Sequence, residues 1–331
     1  MTEEIWIGVK CTSKLIRKIA AVSLASAFIF TGCSQEIKQE YSLIPRAQQY
    51  GLIKEDDSKL LASDLCPFVK NSSGAEDNTT VYAAGAFNDT TGKTVYSQNL
   101  LNKVYPASTT KILTAYVALK YGDLSKKYTV SENAVDLPAG SSVANLKAGD
   151  TLTLKDLLKG MLIVSGNDAA TAVAEAVSGS VSDFAALMNQ EAKEMGAAHS
   201  NFVNANGLHD DNHYTCAYDM YIIFHNALKY DVFKNIIKAD KMDAKVTHSD
   251  GTTETVTYES TNLYKTKQVS SPDGIRVIGG KTGTTDNAGY CLVLLSENSQ
   301  GQQIITTVYK AESKWELYQM TNRLLTSFAS T

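Results

Sequence analysis

The run Tyr105-Pro106-Ala107-Ser108-Thr109-Thr110-Lys111 sets a hydroxyl and an amine at positions i and i+3, which brings both side chains to one face of a helix. A serine hydroxyl attacks a carbonyl only when a neighbour takes its proton. A lysine does this where burial or another cation keeps it neutral. The start of a helix adds free N–H groups and a positive dipole end, which favour developing negative charge. Ser-x-x-Lys is short enough to arise by chance at any helix start, so further groups must come from elsewhere in the chain. Ser165-Gly166-Asn167 offers a hydroxyl and an amide where one helical pattern breaks and another begins. Lys281-Thr282-Gly283 offers an ammonium, a hydroxyl and a glycine on an extended run, where glycines admit a second backbone and a strand edge can pair with an extended peptide.

The elements that must carry these groups can be read from pattern. Pro106 suits a first helical turn and Gly122 the residue past a helix end, while apolar residues on nearly every side of 112–119 predict a helix buried all round. Thr153 and Asp156 form a capping pattern ahead of Leu154, Leu157, Leu158, Met161 and Leu162, which keep helical spacing. A new helix over 168–177 follows at once, so 165–167 is a tight corner on two rigid ends. Further helices are expected at 181–195, 215–228 and 232–238. A hairpin over 81–97 precedes the Ser108 helix, and strands at 252–259, 275–283, 289–296 and 303–309 precede a final amphipathic helix at 313–328. Strands from both ends of the chain, about 80–98 and 275–310, should form one antiparallel sheet covered by the last helix, with the helical middle packed against it and the site in the crevice between. His209 and His213 lie with Asp210 and Asp211 in a polar loop, but without a third ligand at a defined spacing this reads as a solvated loop.

The chain has 331 residues, 44% of them apolar, and a net charge of −4, with no basic cluster of the kind that binds nucleic acid. Lys14, Arg17 and Lys18 precede an apolar run at 19–30 that is too short to cross a bilayer, the pattern of a secretory signal. The run ends at Phe30-Thr31-Gly32-Cys33-Ser34, which resembles a bacterial lipobox, apart from Phe30 in place of the usual leucine. The expected organisation is a signal peptide over 1–32, a tether over 33–78 anchored by lipid on Cys33, and one catalytic domain over 79–331. That places the protein outside the cytoplasm, held on the outer face of a bacterial membrane, or secreted if cleavage falls elsewhere. Cys66, Cys216 and Cys291 are odd in number and irregular in spacing, which implies no disulfide framework, although one pair could bridge, and no metal or cofactor motif.

Ser108-x-x-Lys111, Ser165-x-Asn167 and Lys281-Thr282-Gly283, in that order, form the motif set shared by class A β-lactamases and penicillin-binding proteins. From about residue 80 onward the chain resembles the serine D-alanyl-D-alanine carboxypeptidases of peptidase S11 type, the low-molecular-mass penicillin-binding proteins. The likeness runs through 105–111, Leu157-Leu158, 165–170, Phe202-Val203-Asn204-Ala205-Asn206-Gly207-Leu208, Lys281-Thr282-Gly283-Thr284-Thr285 and Ala288-Gly289-Tyr290. It implies an α/β (α+β), β-lactamase/transpeptidase-like fold: a five-stranded antiparallel sheet with flanking helices and an all-helical subregion. It further implies that Ser108 attacks the penultimate D-alanine carbonyl of a peptidoglycan stem peptide while Lys111 takes its proton. Ser165 would relay a proton to the leaving D-alanine and Asn167 would hold the substrate amide. Lys281 and Thr282 would bind the terminal carboxylate beside Gly283, and the N–H groups of Ser108 and Thr284 would form the oxyanion hole. β-Lactams would acylate Ser108 and leave slowly.

The sequence departs from the resemblance in two places. Many members carry a second β-rich domain and a C-terminal membrane helix, and here the Cys33 lipid is expected to take the anchoring role. Members also often place an arginine ahead of the last helix, where 311–315 offers Lys314 instead, so that contact is unassigned. A class A-like β-lactamase shares the motifs but needs a glutamate after the second one, and 204–213 contains Asp210 and Asp211 without a Glu-x-x-x-Asn. A non-catalytic lipoprotein that binds peptidoglycan is the reading from a different class, and filled catalytic positions give it little support.

Overall fold

Alternation along the last strands decides the architecture. In the strand Gln303–Ala311, Ile305 and Tyr309 face one apolar cluster while Ile304 and Val308 face another. In Gly289–Asn298, Cys291, Val293 and Leu295 point one way and Leu292 and Leu294 the other. A period of two with both sets apolar is what a sheet covered on both faces requires. The computed structural model describes residues 64–70 and 80–328. The expectations for 1–32, for Cys33 and for most of 33–78 fall outside the described residues.

The strands are β1 (Val81–Asn88), β2 (Lys93–Gln98), β3 (Lys127–Thr129), β4 (Thr151–Thr153), β5 (Lys241–Thr247), β6 (Thr253–Glu259), β7 (Ile275–Thr285), β8 (Gly289–Asn298) and β9 (Gln303–Ala311). The helices are α1 (Lys111–Tyr121), α2 (Glu132–Val135), α3 (Leu154–Ile163), α4 (Asn167–Ser178), α5 (Val181–Glu194), α6 (Ala217–Ala227), α7 (Asp231–Lys238) and α8 (Lys314–Thr326). β2-β1-β9-β8-β7 form the expected five-stranded sheet, antiparallel at every pairing. β1 therefore closes against β9 and joins the two ends of the sequence. α8 covers one face through Leu317, Met320, Leu324 and Leu325, each such side chain contributing about 1.5–3 kcal/mol on burial. The helical middle covers the other face. Among the described residues no helix is long and apolar enough to cross a membrane.

The subregion away from the main sheet is not all-helical. It carries a second antiparallel sheet, β3-β4-β5-β6, of which only β6 was expected. β3 and β4 span three residues each, too few to show a period of two. β5 does alternate, with Ala244 and Val246 buried between exposed Lys241, Asp243 and Lys245, but its charges mask the pattern.

Residues 64–70, read as part of a tether, pack on the folded body. Cys66 is fully buried, its N–H donates to Tyr221 Oη at 2.8 Å, and its carbonyl accepts from Tyr218 Oη at 2.7 Å. Asp64 meets His225 Nε2 at 3.0 Å and Lys229 Nζ at 2.9 Å. Cys66, Cys216 and Cys291 are all free thiols and buried, so no pair of them bridges.

Candidate active site

The Ser108 segment begins with strain. Ala107 has φ +47°, a left-handed value that costs a non-glycine residue about 1–3 kcal/mol and persists only where surroundings impose it. Ala107–Thr110 form a 3₁₀ turn that passes directly into α1 at Lys111, so Ser108 does not stand in the α-helix itself. The pairing expected from the spacing survives, because i and i+3 eclipse in a helix with three residues per turn. Lys111 Nζ lies 2.9 Å from Ser108 Oγ. α1 is buried nearly all round, as its composition predicts. Gly122 follows it in an extended conformation, with φ −92°.

Lys111 is fully buried and has two further partners, Asn167 Oδ1 at 2.7 Å and the carbonyl of Asn206 at 2.6 Å. Burial pulls its ammonium well below the ordinary lysine range; the Lys281 charge adds to this and Asp168 opposes it. A neutral amine has two hydrogens and one lone pair. Two carbonyl oxygens can accept the hydrogens, which leaves the lone pair for the third partner, Ser108 Oγ, whose hydroxyl can donate to it.

The corner at 165–167 joins α3 to α4. Thr153 caps α3 by accepting from Asp156 N, as the pattern predicts. Ser165 then takes φ +64° and presents its hydroxyl to Lys281 Nζ at 2.9 Å. Asp168 clamps the facing loop: Oδ1 accepts from Ala144 N at 2.8 Å and Oδ2 from Leu146 N at 3.0 Å. Asn167 starts α4 with its carbonyl oxygen committed to Lys111, which leaves its Nδ2 as the end available to a substrate.

β7 is the edge strand of the main sheet and carries Lys281-Thr282-Gly283. Lys281 is 1% exposed, and burial brings its ammonium to about 7. It sits behind the cleft wall, donating to Ser165 Oγ and to the Thr282 carbonyl, both at 2.9 Å. Thr282 Oγ1 pairs with Thr261 Oγ1 at 2.9 Å. A Cβ on Gly283 would stand 2.9 Å from Ser108 N and from the Pro106 carbonyl, so only glycine lets β7 lie against the turn that carries Ser108. The backbone admitted by Gly279 is that of Ile237 at the end of α7.

These elements enclose a cleft of about 230 Å³, lined among others by Ser108, Ser165, Thr282, Gly283, Thr284 and Lys314. Thus Ser108, Lys111, Ser165, Asn167, Lys281, Thr282, Gly283 and Thr284 converge, the lysines from behind and the hydroxyls on the wall. Tyr290, Tyr318 and Cys291 also line it, with the Cys291 thiol pushed up to about 12 by burial.

The loop 204–213 is not simply solvated. Asn206 supplies the carbonyl that holds Lys111, and its side chain binds Leu208 N. His213 is 2% exposed, and burial lowers it to about 4, so its ring is neutral. Its Nδ1 accepts from Val203 N at 3.1 Å, which places the proton on Nε2 for donation to Thr110 Oγ1 at 2.8 Å. Thr110 Oγ1 in turn donates to the Ala107 carbonyl at 2.8 Å, pinning the strained turn. No periodicity marks these roles in sequence, because the partners lie about a hundred positions apart.

The chain matches the family described as peptidase S11, D-alanyl-D-alanine carboxypeptidase, over residues 71–313. It is 35% identical over 244 residues to D-alanyl-D-alanine carboxypeptidase DacF of Bacillus subtilis, covering 71% of this chain and 58% of that one. D-alanyl-D-alanine carboxypeptidase DacC of Escherichia coli is 34% identical, again with 71% and 58% covered, so the chain spans under two thirds of these relatives. The crystal structure of the Streptomyces K15 DD-transpeptidase superposes with a TM-score of 0.70 and 28% identity, over 78% of this chain and 98% of that one. The ordered motifs, the sheet that unites both chain ends and these likenesses agree, and this chain belongs to the peptidase S11, D-alanyl-D-alanine carboxypeptidase, family.

Proposed function

We propose that this chain is a serine-type D-Ala-D-Ala carboxypeptidase that removes the terminal D-alanine from peptidoglycan stem peptides through an acyl-enzyme on Ser108. The observation that carries this reading is Ser108 Oγ at 2.9 Å from a buried Lys111 whose hydrogens are matched by two carbonyl oxygens. Lys111 takes the hydroxyl proton as Ser108 attacks the carbonyl between the two D-alanines, and the C–N bond breaks as the tetrahedral intermediate collapses. Ser165, bonded to Lys281, passes a proton to the leaving amine. The N–H groups of Ser108 and Thr284 receive the oxyanion, and Asn167 Nδ2 orients the substrate amide. Thr282 meets the terminal carboxylate, with Lys281 acting through Thr282 and Ser165. Lys314, exposed on the cleft wall, draws the carboxylate in. Water then releases the shortened peptide. A β-lactam follows the same first step and stays on Ser108.

The residues preceding the domain support export and lipid anchoring at Cys33, which would present the cleft to the wall from the outer face of a bacterial membrane. The test is release of D-alanine from diacetyl-Lys-D-Ala-D-Ala together with labelling by a fluorescent penicillin. Both should occur, with the label on Ser108, and Ser108→Ala should abolish both. Rapid penicillin turnover would favour a β-lactamase. Absence of hydrolysis and of label in the unaltered protein would favour a binding lipoprotein.

A further inference from the structure

Away from the cleft, the loop 197–201 meets the start of α6 around Asp219, which is fully buried. Asp219 Oδ2 accepts from His199 N at 2.7 Å and from Ser200 Oγ at 2.6 Å, which fixes the carboxylate plane. Oδ1 is buried and has no hydrogen-bond partner. A carboxylate oxygen buried without a hydrogen-bond donor is costly unless a cation meets it, and the His199 ring supplies one only while it is protonated. Facing it are His199 Nδ1 at 3.5 Å and Cys216 Sγ, and the three atoms lie within 4.8 Å of one another. Cys216 is the N-cap of α6, accepting from Asp219 N at 3.4 Å. Serine, threonine, asparagine or aspartate serve that position best, so capping does not account for a thiol there.

We propose that His199 Nδ1, Cys216 Sγ and Asp219 Oδ1 bind a borderline divalent cation of the Zn²⁺ class, with water in the fourth position. An imidazole nitrogen, a thiolate and a carboxylate suit that class in softness and geometry, and the two anionic ligands balance the ion's charge. Binding forms the metal–sulfur bond as the thiol proton leaves to solvent; no electron is transferred. Tetrahedral donors at Zn²⁺ bond lengths stand about 3.4–3.7 Å apart. The cluster therefore closes by roughly an ångström, and the mobile member is His199, whose side chain is 53% exposed. Thr215, next to Cys216, pairs with Val104 through both backbone bonds at 2.9 Å, and Val104 leads into the turn that carries Ser108. The ion thus acts as a structural clip between the 197–201 loop, the start of α6 and the segment feeding the catalytic turn.

The test uses the full chain stripped with a chelator and titrated with Co²⁺ as an optical stand-in for Zn²⁺. One equivalent should produce a thiolate-to-cobalt charge-transfer band that Zn²⁺ displaces. Cys216→Ser, which keeps the cap, should abolish the band. His199→Ala, at a side chain that is 53% exposed, should weaken Co²⁺ affinity at least about tenfold while Cys216 and Asp219 remain in place. No band, a band that survives Cys216→Ser, or unchanged affinity in His199→Ala would each overturn the proposal.

Discussion

Lys111 and Lys281 are two buried amines within one site, and neither can be charged there as cheaply as in water. For Lys111 this means the rate of acylation by a β-lactam should rise with pH along a limb set by a lysine well below its ordinary value. Lys111→Arg, which cannot lose its proton, should slow acylation by about 10²–10⁴-fold, read by penicillin labelling over time. Lys281 makes a stability statement. Its folded value of about 7 lies below the unfolded value of about 10.4. Across that window the unfolded chain holds the extra proton, so this group's contribution rises with pH and is lost as pH falls toward 7. Buried thiols act in the opposite sense above about 8.5, so the readout is the difference between variants. Urea unfolding at pH 7, 8 and 9 should show Lys281→Met with a slope lower by up to about 1.4 kcal/mol per pH unit, and parallel curves would refute it.

At the scale of elements, the turn carrying Ser108 is held in shape by a loop about a hundred positions further along the chain. Gly207 has φ +87°, and a Cβ there would stand 1.9 Å from the Ala107 carbonyl. Gly207→Ala should cost about 2–4 kcal/mol and slow acylation, because the clash moves the turn carrying Ser108. Gly179 is the control: its φ is +81° with nothing within 4 Å of the added atom. Gly179→Ala should cost about 1 kcal/mol from backbone strain alone and leave acylation unchanged. Thermal unfolding and penicillin labelling read both, and equal effects on acylation would sink the argument. The elements themselves were largely legible, since the capping at Thr153, the break at 165–167 and the turn between β8 and β9 are local signals. The small sheet was missed because β3 and β4 are too short to carry a period and gain their bonds from partners far along the chain.

For the whole molecule, the boundary of the folded body lies earlier than composition suggests. Polar residues around Cys66 read as tether, yet this thiol is in the main apolar core and its backbone binds two tyrosines of α6. A chain beginning at residue 80 should therefore melt lower than one beginning at residue 59, by about 2–4 °C for each kcal/mol of lost packing and hydrogen bonding. Differential scanning calorimetry would show it, and identical midpoints would mean the segment adds nothing.

The sequence by itself determined the reactive types and their spacings: Ser108 with Lys111, Ser165 with Asn167, and Lys281 before glycine. Such pairs are local, and three or four residues of helix or strand suffice to orient them. Only the tertiary structure decided that Lys111 sits dry between Asn167 and the Asn206 carbonyl, that Lys281 stands behind Ser165, and that His213 pins the strained turn. The physical reason is that an amine's charge depends on the water around it, and water is excluded here by segments brought together only when β1 closes on β9.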